Sequence, residues 1–309
     1  MAMTILEAAK LRPFDTFRTA VVEMFARESD IIQALPFQTI PGPAYRYNRE
    51  GALPGVAFRG VNEAYIESVG VLNPVVEALA IAGGDLDVDK FIIKTGADNV
   101  RETHEQMKVK NIAQTWANNF IKGDSTSDPR LFDGLQMRVT GSQLIDAGAT
   151  SGGDALSLYI LDKAIDAVDH PTHIIMSKAL RTRLTQASRA TAVAGYVTFD
   201  TNTLGQRVTR YNDLPILVAY GHNGGTEILG YTEANPGGGS NVGTSVYIVS
   251  FGDGMLTGIQ NSEMMVTDLG ELQTAPVLRT RVEWYAGIAL EHGRAVSRIR
   301  GIKDAAIVA

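Results

Sequence analysis

Between Glu50 and Pro74 the chain mixes turn-forming and bulky apolar residues in a way that few compact folds can absorb. Gly51, Pro54, Gly55, Gly60, Gly70 and Pro74 interrupt any continuous helix. Val56, Phe58, Val61, Tyr65, Ile66, Val69, Val71 and Leu72 are too scattered to enclose a core of their own. Long loops of this kind are uncommon within a compact domain, and so many apolar side chains left in water would form a sticky patch. The expectation is an extended loop that lies on a partner surface. The simpler alternative, a solvated surface loop, leaves those side chains without a reason.

Strand-like runs at Tyr45 to Arg49 and Val75 to Ile81 frame the loop, and Pro41, Gly42 and Pro43 open the segment. Ahead of it, residues 4–35 carry apolar residues at mixed three- and four-residue spacings around a break at Pro13, which predicts a helical arm. Behind it, Asp85, Asp87 and Asp89 alternate with Leu86, Val88 and then Phe91, so a strand is predicted over Leu86 to Ile93. A long helix follows over Asp98 to Lys122. Asp98 is its N-cap, and Val100, Met107, Val109, Ile112, Ala113, Trp116, Ala117 and Phe120 form its apolar stripe.

The polar stretch Gly123 to Pro129 marks a boundary, and from there to about Gly243 the pattern is mixed α+β. Helices are predicted over Leu156 to Val168 and Ser177 to Arg189. Short buried strands are predicted over His173 to Met176 and Leu214 to Tyr220, with a hairpin over Tyr196 to Thr209 turning at Asn202 to Gly205. After the Asn235 to Gly243 loop strands dominate: Ser245 to Phe251, Met255 to Gln260, Glu263 to Leu269, and a long pair around Val277 to Leu290.

With 309 residues, 45% hydrophobic and 20% charged, the chain has room for one large domain or two smaller ones. A net charge of -6 supplies no global field toward nucleic acid or anionic lipid, so any DNA contact is local. The absence of cysteine excludes disulfides, thiol nucleophiles and Cys-ligated metals. No run of about 18 apolar residues occurs and no basic stretch leads into an apolar N-terminal run. The chain is therefore expected to be soluble, without a membrane partner, and cytoplasmic during synthesis.

Candidate chemistry does not converge. Asp85, Asp87 and Asp89 have the spacing that opens a calcium loop, but Lys90 stands where glycine is needed and Gly96 where the closing glutamate is needed. His170 and His173 lack a third ligand. Gly83 with Gly84, Gly224 with Gly225, and Gly237 to Gly239 do not have phosphate-loop context, and Gly252, Gly254 and Gly258 miss the dinucleotide spacing. No nucleophile elbow or His-Glu-x-x-His motif occurs. Glu63 and Glu67 are expected to pair with arginines of a neighbour rather than to flank a scissile bond. Arginines at 181 with 183, 207 with 210, and 294, 298 and 300 have no interleaved aromatics for base stacking and are expected to be solvated or interfacial. No catalytic residue, metal or cofactor is expected.

The order of an N-terminal helical arm, a long loop on two strands, a long helix, a mixed α+β region and returning strands resembles the major capsid family of tailed bacteriophages, with its Hong Kong 97-type fold. The residues carrying the resemblance are Tyr45 to Tyr65, Phe120 to Leu135 with Gly123, Asp124, Phe132, Asp133, Gly134 and Leu135, and Leu278 to Ile302. It implies an α+β chain with an arm at 1–44, an extended loop (E-loop) and its base at 45–85, and a P domain with its spine helix at 86–129. An A domain at 130–254, P-domain strands at 255–290 and a return to the A domain at 291–309 complete it.

The resemblance further implies a non-enzymatic subunit that forms hexamers and pentamers of an icosahedral shell around double-stranded DNA. That places it in the virion capsid after assembly in the host cytoplasm. Expected partners are other copies of the chain, portal and decoration proteins, DNA by non-specific contact, and a separate scaffolding protein or none, because the arm pattern begins near residue 4. Subunit contacts are expected at Arg46, Arg49, Phe58, Arg59, Glu63, Tyr65, Glu67, Glu271, Arg279, Arg281 and Glu283. Cross-linking through a loop lysine is not expected, since no lysine lies between Lys10 and Lys90. An encapsulin-like compartment is the nearest alternative; a soluble hydrolase is a more distant one.

Overall fold

The computed structural model describes residues 29–95, 100–189, 195–201, 207–221, 227–239 and 242–308. Most of the predicted arm, the Asp98 cap and the Asn202 to Gly205 turn lie outside these residues. In chain order, α1 (Asp30–Ala34) leads into β1 (Phe37–Thr39), β2 (Ala44–Ala52), β3 (Val71–Ala78) and β4 (Ala80–Asp89). Helices α2 (Lys90–Thr95), α3 (Val100–Lys122) and α4 (Leu135–Arg138) follow. Next come β5 (Leu144–Asp146), α5 (Leu158–Asp166), β6 (His173–Met176), α6 (Lys178–Ala187), β7 (Val197–Thr201), β8 (Arg207–Tyr211) and β9 (Leu214–Val218). The chain ends in β10 (Thr244–Val249), β11 (Leu256–Gln260), β12 (Met265–Glu271), β13 (Val277–Leu290) and β14 (Val296–Ile302).

Strand β13 organises a five-stranded sheet. β4 runs antiparallel along one edge of it from Asp89 opposite Val277 to Ala80 opposite Ala286. β12 and β11 follow one another along the other edge, and β1 adds to β11 in parallel. A seven-stranded sheet has the order β5-β14-β10-β6-β9-β8-β7, and β2 with β3 makes a separate two-stranded ribbon.

Several elements differ from the sequence expectation. The strand predicted at Leu86 begins at Ala80 and stops at Asp89, where the Asp89 carboxylate accepts the Phe91 amide at 2.7 Å and turns the chain into α2. Phe91, Ile92 and Ile93 are consecutive apolar residues and break the alternation a strand needs. The run predicted to continue from Val75 to Ile81 is interrupted at Leu79, where the chain leaves the ribbon for the five-stranded sheet. Val277 to Leu290 is one strand of 14 residues rather than a pair, since its one glycine, Gly287, stays in the ladder opposite Ile259 and the strand finds its partners elsewhere in the chain. Met107 is exposed. It stands two residues, about 200°, around the helix from Val109, which is buried.

The long helix α3 lays Val109, Ile112, Ala113, Trp116, Ala117, Phe120 and Ile121 on the five-stranded sheet. Trp116, Trp284 and Phe37 meet there with ring centroids 5.5 Å apart. The same cluster continues through Ile175, Tyr247 and Val249 on one face of the seven-stranded sheet. The alternate residues Ile174, Met176, Val246 and Ile248 face the other way, onto Leu161, Leu180 and Leu184, the two-residue period of a sheet covered on both sides.

The exit from α3 depends on two glycines. A Cβ on Gly123 would stand 2.3 Å from the Phe132 carbonyl oxygen and 2.5 Å from that of Asn119, and one on Gly134 would stand 2.5 Å from the Asn119 oxygen. Their close approach lets the Gly134 amide donate to the Gly123 carbonyl at 2.9 Å. Between them Asp124 accepts from the Thr126 amide at 2.9 Å and the Ser127 hydroxyl at 2.6 Å, and Asp133 accepts from the Ser125 amide at 2.8 Å.

Candidate subunit interface

The β2–β3 ribbon is anchored at its base and free at its tip. Pairing runs from Ala44 opposite Ala78 to Ala52 opposite Val71. At the base, Tyr47 donates to the Leu290 carbonyl at 2.8 Å and Tyr45 to the Glu291 carboxylate at 2.8 Å. Burial, then this hydrogen bond, pushes the Tyr45 phenol up to about 12. Arg49 also donates to the Leu290 carbonyl. Arg138 grips Glu77 with both terminal nitrogens, one of them at 2.8 Å. Tyr47 packs with Ile40, Ile259 and Ala289.

Beyond Ala52 those contacts end. Residues 53–70 form no strand and are exposed throughout. Leu53, Val61, Tyr65, Ile66 and Val69 stand in solvent, Val56 is 96% exposed and Phe58 fully so. The tip holds its shape through its own bonds. Ser68 donates to the Gly55 carbonyl at 2.8 Å, the Gly60 amide to Glu63 at 2.8 Å, and Arg59 to the Glu63 carbonyl at 3.0 Å. The Arg59 guanidinium lies 4.9 Å from the Tyr65 ring centre. Leu53 belongs with this apolar set and was missed because it adjoins Pro54 at the loop's edge.

The other expected contact residues fall into two groups. Arg46 and Glu67 are exposed, like Phe58, Arg59, Glu63 and Tyr65. Arg279 and Arg281 instead make two-pronged bonds across the sheet to Asp87 (2.6 and 2.6 Å) and Asp85 (2.6 and 2.8 Å) of the same chain. Hydrogen bonding to these forks holds both carboxyls below the usual range, and explains why the aspartates alternate without forming a calcium loop. Glu271 pairs with Lys90, and Glu283 accepts a long bond from Tyr285 at 3.4 Å. Among the described residues no group of three or more His, Asp or Glu is arranged to hold a metal.

Arg298 differs from the expectation of a solvated or interfacial charge. It is buried and donates to Glu233 at 2.8 Å and to Ser245 at 3.0 Å. Its strand, β14, lies inside the seven-stranded sheet between β5 and β10, which removes it from water. Arg294 and Arg300 remain nearer the surface and pair with Asp169 and Asp146.

The family model for major capsid protein GP7 matches residues 15–169. No curated protein matches the sequence. Among solved structures, the encapsulin of the holo-SrpI complex from Synechococcus elongatus PCC 7942 is similar with a TM-score of 0.63 at 15% identity, over 89% of this chain and 87% of that one. A capsid chain of the native GTA particle is similar with a TM-score of 0.64 at 11% identity, over 89% and 90%. A chain from Mycobacterium phage Adephagia is similar with a TM-score of 0.63 at 12% identity, over 88% and 89%. These likenesses establish the Hong Kong 97-type architecture and, with half of its length matched by the family model, the chain belongs to the major capsid protein GP7 family.

Proposed function

We propose that this chain is a non-enzymatic shell subunit that assembles into hexamers and pentamers of an icosahedral capsid enclosing double-stranded DNA. The observation that carries this reading is the tip at residues 53–70, whose apolar side chains their own chain leaves exposed to solvent. Covering them on a neighbouring copy removes them from water and links subunits in one step. In this reading the ribbon and tip are the E-loop, α3 is the spine helix on the P-domain sheet, and the seven-stranded sheet is the A domain. Arg46, Phe58, Arg59, Glu63, Tyr65 and Glu67 touch the neighbour directly, with Glu283 offered from the sheet. Arg49, Glu271, Arg279 and Arg281 act from their bonds within the subunit, stiffening the surface on which a neighbour's loop rests. Portal, decoration and any scaffolding proteins would join such a shell from outside the chain.

The likeness to the SrpI encapsulin supports a second reading, a compartment built from the same fold around protein cargo. The match to a viral capsid family favours the first. Negative-stain electron microscopy with size exclusion of the purified chain tests both. Closed shells or capsomer rings are expected, and shells isolated from the native source should carry DNA. A monomer under every condition would overturn assembly, and shells filled with protein in place of DNA would favour the compartment.

A further inference from the structure

The strands β7 and β8 sort their side chains by charge. Phe199 stands opposite Thr209 and Thr201 opposite Arg207, placing these residues on one face, while Asp200, Val208 and Arg210 take the other. On that second face Arg210 and Asp200 neutralise each other at 3.1 Å. The first face looks across an open groove of about 600 Å³ toward α6, which contributes Arg181, Thr182 and Thr185, with Arg189 just beyond its end. Leu180 and Leu184 on the opposite side of α6 are buried, so the helix presents this face outward by its own periodicity.

The groove concentrates unneutralised arginine. Nearby Arg183 is paired with Asp304 at 3.0 Å, whereas among the described residues no carboxylate forms an ion pair with Arg189 or Arg207. Arg207 lies with its guanidinium 3.8 Å from the centre of the Phe199 ring, which holds the fork in place without neutralising it. Sequence alone shows no aromatic within the arginine clusters; strand pairing brings one there. In a chain with net charge -6 such a patch is a local exception. Arginine forks with hydroxyls beside them match the oxygens of a phosphodiester backbone and read no base sequence.

We propose that the groove between α6 and the β7–β8 hairpin binds the phosphate backbone of the packaged DNA; this inference rests on the capsid reading above. The test is fluorescence anisotropy of a labelled DNA duplex of arbitrary sequence titrated with the full chain across a series of salt concentrations. R189Q/R207Q is compared with R130Q, an exposed arginine outside the groove. With two phosphate contacts removed, the slope of log affinity against log salt should fall by about 1.8, a loss of roughly sixtyfold at ~0.1 M salt relative to ~1 M, while R130Q changes neither. Equal weakening by both variants, or no duplex binding by the unsubstituted chain, overturns the groove assignment. Retained duplex affinity with failure to form shells in R189Q/R207Q would make the groove a contact between subunits and overturn it as well. Shell formation by the unsubstituted chain, scored separately by microscopy, shows whether the capsid reading itself stands.

Discussion

His173 lies beside a cavity of about 200 Å³ that Asp30, Asp200 and Arg210 also line. Its ring packs on Phe251 with centroids 5.1 Å apart. Burial first, and Arg210 second, lower its imidazole to about 4. An ordinary histidine titrates near 6.5, so the unfolded chain takes up a proton that the folded chain refuses as pH falls below that value. Stability from this residue is intact above about 6.5 and lost progressively down to about 4, on the order of 2 kcal/mol after discounting for partial access to water. Asp30, raised by burial, works in the opposite sense by accepting a proton more readily when folded. The informative measurement is therefore a comparison: urea unfolding of the unassembled subunit between pH 7 and pH 4.5 should show a shallower loss of stability in H173Q than in the parent. Parallel profiles would remove His173 as the cause. None of this was legible from the His170 and His173 spacing, because ring burial is set by Phe251, far along the chain. Gly123 and Gly134 were legible as a pattern, but the reason for them, a carbonyl 2.3 Å from where a Cβ would sit, needs coordinates.

At the scale of elements, the loop was the most readable part of the chain. Glycine and proline spacing excluded a helix, the apolar count excluded an internal core, and every apolar residue singled out there is exposed. Phe58 touches so little of its own subunit that Phe58→Ser should change the unfolding free energy of the isolated chain by no more than about 0.5 kcal/mol. On the capsid reading proposed above, in which this ring packs between subunits, the same substitution should reduce closed shells sharply in microscopy. Normal shells from the variant would show that Phe58 faces solvent after assembly too. The strand ends were harder to read. Asp89 ends β4 through a side-chain bond to the Phe91 amide, a local competition that alternation alone does not reveal. Val277–Leu290 looked like two strands because a 14-residue strand is long. It persists as one because β4 covers one edge while β11 and β12 share the other.

Across the whole molecule, composition allowed either one domain or two, and the sheets fall between those answers. The five-stranded and seven-stranded sheets are separate in hydrogen bonding, yet Trp116, Trp284, Tyr247 and Val249 belong to one continuous core. The opposite face of the seven-stranded sheet has its own cluster around Leu161, Leu180 and Leu184. β10 and β6 contribute alternate residues to each cluster, so neither can melt while the other keeps its strands. Unfolding of the unassembled subunit should therefore be one cooperative transition, with calorimetric and van't Hoff enthalpies in agreement. Leu184→Ala, placed in the cluster far from α3, should cost about 2–5 kcal/mol and lower that single transition as a whole. Tryptophan fluorescence would report it faithfully, since both Trp116 and Trp284 lie in the other cluster. If Leu184→Ala instead split the melt and left the tryptophan signal unmoved, the two sheets would be independent domains and the shared core would carry no cooperativity.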